Sequence, residues 1–479
     1  MDTIRRTWML IAVSLATFMT YLDNNVINVA IPAIQRDLHL STAGLEWVVS
    51  GYILVFASLL LAGGRLGDLF GRRRLFLIGL GIFTAASLVA GLAGNVDVLV
   101  ASRAVQGLGA ALVTPTTLAL ISAGYPDPRE RTAAIGVWSA VGALALAVGP
   151  LLGGLISQHV SWGWIFFINV PVGIATMLLA AWAVPAGLVD DARARIDLPG
   201  LALSVAALFT LTYALIEGHD KGWTSTLILG SFAVSALAAI AFVAVELRTR
   251  QPMVDVALFS ERAFTGGIVA IVMWGFGLFG IYFFTSLYLQ NVLGFSATEA
   301  GAAFVPMALL MAGGAIVSER LAQAIGAHRS VALAMLLMAG GIGSMSLLGQ
   351  GASFLELMPS FAVIGIGGGL AVPLTALVVG AMPVEQAGVA SGIFNAAREV
   401  AGLLGITVIG AILTARQSAS IHAGHAPVEA FLSGYRAGLL VAALLVTAGG
   451  VAAYFGLRNT EQRTEIAADV PEVDLALVG

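Results

Sequence analysis

The chain has 479 residues, of which 59% are hydrophobic and 10% charged, against roughly 25% charged in an average soluble domain, so it reads as an integral membrane protein. It has no cysteine, which excludes disulfides, thiolate catalysis and cysteine metal sites. Its only lysine, Lys221, lies in Asp-Lys-Gly and not in a phosphate-binding loop, so no ATP site of that kind is expected, and a formal net charge of −4 is too small to point to nucleic acid.

Fourteen apolar runs, each near the ~20 residues that cross a bilayer, fall near 8–31, 46–66, 75–94, 97–122, 132–157, 162–184, 197–216, 224–246, 264–289, 297–318, 329–349, 355–380, 387–414 and 434–456. The first carries Asp23 and runs on to Pro32 without a small-residue cleavage site, so it is expected to remain as an anchor and not to be cleaved as a signal peptide. The second and third are joined by a very short turn, Gly64 to Arg74, in which Arg65, Arg72, Arg73 and Arg74 crowd around Asp68. Charge at that density cannot sit in hydrocarbon and belongs at a membrane surface. With residue 1 in the cytoplasm, seventeen of the 23 basic residues fall on the inner side and four on the outer. That bias puts the Gly64–Arg74 turn and both termini in the cytoplasm. Arginine in place of lysine, with high alanine and glycine, suggests a bacterial inner membrane.

The spans fall into six, two and six. The expected units are residues 1–190, a six-helix bundle; 191–262, an inserted helix pair with its linkers; 263–457, a second six-helix bundle; and 458–479, an acidic disordered tail. A faint internal repeat supports two related bundles. Gly326 and Arg329 follow the second helix of the last six where Gly71 and Arg74 follow that of the first.

An ionisable side chain inside a span is costly and marks a functional hypothesis. Four stand out: Asp23, Arg103, Arg398 and Glu399. Asp23 lies roughly 22 Å from the inner end of its helix and Arg103 roughly 9 Å below the outer end of its own. In a core about 30 Å thick those depths coincide, so the two meet if their helices are neighbours. The sharper reading makes Asp23 a site of proton uptake and release under the control of Arg103; the plainer one is a structural ion pair. Arg398 and Glu399 lie near mid-membrane. Adjacent helix positions point about 100° apart, so each is expected to need its own partner. The fifth run carries Gly142, Gly149, Pro150, Gly153 and Gly154, a pattern that lets a second backbone approach closely and bends the helix. Asn28, Gln106, Tyr282 and Tyr288 are candidates to line a substrate cavity. His422 and His425 have no acidic neighbours, and no metal site or other cofactor is expected.

Together these residues resemble the major facilitator superfamily, and within it the fourteen-helix drug:proton antiporters. Gly64-Arg-Leu-Gly-Asp68-Leu-Phe-Gly71-Arg-Arg-Arg74 is similar to that superfamily's signature between helices two and three. Leu99-Val-Ala-Ser-Arg103-Ala-Val-Gln106-Gly107-Leu-Gly109 resembles its fourth-helix motif, and Gly142 to Gly154 its fifth-helix antiporter motif. Leu22-Asp23 to Pro32 resembles the first-helix motif of the fourteen-helix branch, and Trp164 to Pro171 its sixth-helix sequence. Asn25 stands where threonine is usual, and Glu399 where glutamine is commoner.

The resemblance implies two six-helix bundles around a central cavity, with two extra helices. It also implies a secondary transporter, not an enzyme, that exports small lipophilic molecules such as antibiotics against inward proton flow. Gly64, Asp68, Gly71 and Arg72, with Gly142, Gly149, Pro150 and Gly153, would gate the conformational change. The expected partners are the small-molecule substrate, protons and membrane lipid, with the protein a monomer. A dedicated exporter of one self-made metabolite and a translocase of lipid or envelope precursors stay open as alternatives.

Overall fold

The computed structural model describes residues 3–185, 197–250, 252–380, 382 and 387–468. Each predicted apolar run coincides with helix. The first six are α1 (Thr3–Leu38), α2 (Thr42–Phe70), α3 (Arg72–Gly91), α4 (Val96–Gly124), α5 (Pro128–His159) and α6 (Trp164–Ala183). The inserted pair is α7 (Leu198–Lys221) and α8 (Thr226–Glu246). The last six are α9 (Arg262–Leu287), α10 (Ala297–Ile325), α11 (Ala327–Met345), α12 (Phe354–Leu370, resumed at Pro373–Gly380), α13 (Ala387–His422) and α14 (Pro427–Ala468). Thirteen described helices are long and apolar enough to cross a membrane. The fourteenth predicted run corresponds to α11, 19 residues long, whose first turn carries the polar His328 and Arg329.

The helix ends follow from local chemistry. Ser41, Asn95, Asp127 and Ser225 cap α2, α4, α5 and α8 by accepting from backbone N–H groups of the first turn, which satisfies donors that helical geometry leaves free. Between α2 and α3 a single residue makes the break: Gly71, with φ 91° and ψ 124°. Gly326, φ 89° and ψ 142°, does the same between α10 and α11. Both conformations lie where a Cβ is strained. The faint sequence repeat thus has a structural counterpart in these two one-residue turns.

The repeat extends to the packing. In the first bundle α1 lies on α5, α2 and α3 lie on α4, and α6 fits against α1 and α3. The second bundle pairs α9 with α13, α10 and α11 with α12, and α14 with α9 and α11, which is the same scheme. The bundles then meet through two exchanged pairs, α5 on α10 and α2 on α13. Lipid gives helices little hydrophobic reason to associate, so small residues and close backbone approach do that work. A Cβ on Gly63 would stand 2.0 Å from the Ala111 carbonyl oxygen, and one on Gly107 would stand 2.4 Å from that of Tyr52.

The inserted pair lies over one of the two seams. Helix α7 packs on both α2 and α13: Trp47 donates its indole N–H to Glu217 at 3.0 Å, and His219 shares a hydrogen bond of 2.9 Å with Ser418. Helix α14 continues to Ala468, past the point where the sequence predicts a disordered tail. Residues 469–479 of that tail, and 186–196 of the polar stretch before α7, lie outside the described residues.

Candidate functional site

Asp23 of α1 and Arg103 of α4 meet inside the first bundle, where Arg103 Nη1 donates to Asp23 Oδ2 in a salt bridge with both side chains out of contact with solvent. Their positions follow from helix pairing, since α1 and α4 both line the bundle interior. Arg103 also donates to Gln106 Oε1 at 2.9 Å and, through Nε, to the Val48 carbonyl of α2 at 3.2 Å. The guanidinium carbon lies 4.4 Å from the centre of the Tyr52 ring. The other carboxylate oxygen, Asp23 Oδ1, accepts from Gln106 Nε2 at 3.1 Å and from Asn169 Nδ2 of α6 at 2.7 Å. Ser87 of α3 accepts from Gln106 at 2.7 Å and donates its own hydroxyl to the Phe83 carbonyl. Three helices therefore meet at one carboxylate, which accepts from one charged and two neutral donors, and α2 and α3 join the network through Arg103 and Gln106.

Gln106, expected at a substrate cavity, is fully buried here and holds Asp23, Arg103 and Ser87 together. The network's remaining members, Asn169, Ser87 and Tyr52, escaped the sequence reading as site residues. Their one available signal was a polar group inside an apolar run.

The second charged pair also departs from expectation. Arg398 donates through Nε and Nη2 to Oε1 of its own neighbour Glu399, at 3.3 and 3.0 Å. The two backbone directions diverge, but the arginine stem is long enough to fold its head back across the helix surface. Arg398 also lies beside Tyr21 of α1, two residues before Asp23, close enough for the two to interact electrostatically. A charged pair of the second bundle is thus tied to the helix that carries the buried carboxylate of the first.

The glycines of α5 serve two different seams. Gly142 faces the Tyr21 ring, and Gly149 and Gly153 face Asn25 and Val26, all on α1. Pro150 and Gly154 face the second bundle instead. A Cβ on Gly154 would stand 2.2 Å from the Ala297 carbonyl oxygen, and one on Gly301 would stand 2.3 Å from that of Pro150. Gln158 Oε1 accepts from the Thr298 N–H at 2.8 Å, and Gln290 donates to the Val29 carbonyl at 2.9 Å. All these contacts lie at the end of the molecule opposite the Gly64–Arg74 turn, where the two bundles are pressed backbone to backbone. Gly64 has room beside Pro115, and Arg72 donates to the Ala119 carbonyl of α4 at 3.1 Å, inside its own bundle. The side chain of Asp68 lies outside the described residues.

Of the remaining cavity candidates, Tyr288 is fully buried, stacked on Tyr435 and donates its hydroxyl to the Gly349 carbonyl at 2.7 Å. Tyr282 is buried and stacked on Phe304. Asn28 is buried, its amide turned back to the Asn24 carbonyl of its own helix at 3.3 Å.

The description of the Major Facilitator Superfamily matches residues 13–406. The chain is 36% identical over 415 residues to the multidrug resistance protein Stp of Mycobacterium tuberculosis, covering 86% of this chain and 76% of that protein. It is 36% identical over 413 residues to the tetracenomycin C resistance and export protein of Streptomyces glaucescens, covering 86% and 77%. Among solved structures, a bacterial homologue of the human lysosomal transporter Spinster, inward-facing and unoccupied, superposes with a TM-score of 0.68 at 17% identity, over 96% of this chain and 99% of that one.

Proposed function

The chain belongs to the major facilitator superfamily, a family of multi-pass membrane transporters, and on that premise we propose that it exports small lipophilic molecules, antibiotics among them, in exchange for protons. The single observation that carries the proton coupling is the Asp23 carboxylate, buried inside the first bundle with Arg103, Gln106 and Asn169 as its only partners among the described residues. The resistance and export functions in the names of its relatives support the direction of transport and the class of cargo. The arginine bias supports a cytoplasmic Gly64–Arg74 turn and cytoplasmic termini. With that orientation the described conformation is closed on the outside, by α5 against α10 and α2 against α13.

The cycle follows from the charge arithmetic. Outside-facing, Asp23 takes a proton, and Arg103 loses the anion it neutralised. Removing one member of a buried ion pair costs roughly 3–5 kcal/mol, more than the ~2.3 kcal/mol that one charge gains in falling through about 100 mV. Protonation is therefore large enough to favour a rearrangement of α1 against α4. Inside-facing, the proton leaves, the pair re-forms, and the cavity between the bundles accepts substrate. Tyr21, beside Arg398, carries the α1 movement to the second bundle.

The test is drug susceptibility in an efflux-deficient bacterial host, with wild type and Asp23→Asn at matched expression, across cationic dyes and neutral antibiotics. Resistance lost in Asp23→Asn supports the reading; resistance that persists would falsify Asp23 as the coupling site. No resistance to any compound would favour the dedicated-metabolite exporter instead.

A further inference from the structure

Glu46 was not among the ionisable residues singled out in the sequence, yet it is a deeply buried acid at the seam between α2 and α13. It stands one turn inside α2 and is 2% exposed. Its Oε2 is buried with no hydrogen-bond partner. Its Oε1 is pressed against α13, where a Cβ on Gly410 would meet it at 2.1 Å. Beside it lies a cavity of about 310 Å³ on the outer side, whose walls include Gln35 of α1, His219 and Asp220 of α7, and Ala411 and Thr414 of α13. Asp220 is exposed at the membrane surface and His219 is half-buried.

The charges around Glu46 can be taken helix by helix. On α7, His219 and Asp220 share its cavity, while Glu217 and Lys221 are paired with each other at 3.1 Å. On α13 the wall is neutral and Arg416 is exposed outside it; on α1 the wall is Gln35, with Arg36 exposed and Asp37 accepting from Trp162. No arginine or lysine lines the cavity. A carboxylate buried without a cation is strongly disfavoured, and the acid form is the one that fits such a site.

We propose that Glu46 is a second protonation site, loaded from the outer medium through this cavity, and that its protonation allows the outer ends of α2 and α13 to close. The proposal rests on the orientation read above but not on Asp23. When the seam is shut, the O–H bond on Glu46 removes the charge that would otherwise be trapped against Gly410. When the seam parts, water enters, the proton returns to the outer medium by way of the cavity, and the carboxylate is hydrated. The proton does not cross the membrane at this site; it sets how readily the outer gate closes. Gly410 has no side chain at the contact, which leaves room for the acid and for nothing larger.

The chain has no cysteine, so spin labels can be placed at His39→Cys and Ala415→Cys, one on each side of the outer seam, and the distance measured by pulsed electron paramagnetic resonance in nanodiscs across pH. The expected result is a short distance at acid pH that gives way to a longer one as pH rises, with Glu46→Gln held at the short distance throughout. Infrared difference spectra between the two pH limits are expected to lose one protonated-carboxyl band in Glu46→Gln. An unchanged pH response in Glu46→Gln overturns the proposal, as does a wild type whose distance ignores pH or answers to sodium at fixed pH. Were Glu46→Gln not to fold, Glu46→Asp must shift the midpoint of the response, and an unmoved midpoint overturns it equally. In the same labelled background Asp23→Asn is expected to keep the response of Glu46 while losing export, so the two sites fail or stand separately.

Discussion

Arg103 of α4 donates to Asp23 of α1 across 80 residues of chain, in a salt bridge whose two side chains expose 0% and 1% of their surface. Such a pair contributes little net stability while intact, but removing one partner strands the other. Arg103→Ala is therefore expected to destabilise the protein by about 3–5 kcal/mol, seen as a large fall in thermal stability of the purified protein in detergent. The double variant Asp23→Asn with Arg103→Gln should recover much of that loss. A double variant as unstable as Arg103→Ala would mean that packing around Tyr52, not charge, sets the cost.

With the proposed orientation, closure of the outer side is expected to depend on the absence of side chains where α5 meets α10. Gly154→Val puts a branched side chain where even a Cβ would lie 2.2 Å from the Ala297 carbonyl oxygen, and backbone cannot yield as a side-chain tip can. The expected outcome is normal expression with the seam propped open and export abolished, with Gly301→Val behaving alike. Gly136→Val, on the same helix with nothing within 4 Å of its Cβ position, is the control. If Gly154→Val exports at the wild-type rate, the seam does not have to close.

Much of this arrangement is legible in the sequence because a bilayer restricts the possibilities. Apolar length gives the helices, and depth along α1 and α4 is enough to bring Asp23 and Arg103 to one level. What depth does not give is the facing of a polar residue, so Gln106 and Asn169 cannot be assigned to network or cavity until the helices are packed. Tyr288 shows the same limit: its hydroxyl needs a partner, and the partner is a loop carbonyl. Arg398 and Glu399 mislead because Cβ directions say little about where a five-atom stem ends. Glu46 is hidden by its position at the first residue of a predicted span, where an acid reads as interfacial. The helix in fact begins at Thr42, a turn earlier.

The one-residue turns at Gly71 and Gly326 give a paired prediction. With φ of 91° and 89°, replacement by alanine in either is expected to cost of order 1–3 kcal/mol of strain. Gly64→Ala is expected to cost far less, since its Cβ would rest 3.7 Å from Pro115 in ordinary contact. Thermal stability of the three variants, measured side by side, checks this. Equal losses in all three would show that the sequence around the turn, and not its backbone conformation, is what the fold requires.

Glu399 is expected to bear on which substrates are moved. Its side chain is 6% exposed, and its Oε1 takes two hydrogen bonds from Arg398, which in turn lies beside Tyr21 across the bundle interface. With both charges present the site is close to neutral. Glu399→Gln keeps the shape and leaves the Arg398 charge uncompensated beside the path between the bundles, which disfavours a cation there through a low-dielectric medium. Export of cationic dyes is expected to fall several-fold while neutral antibiotics are moved at near the wild-type rate, as read from paired accumulation assays at matched expression. A uniform loss across both classes would instead assign Glu399 to the conformational link through Arg398 and Tyr21. In that case Tyr21→Phe, which removes the hydroxyl and leaves every charge in place, should reproduce the uniform loss.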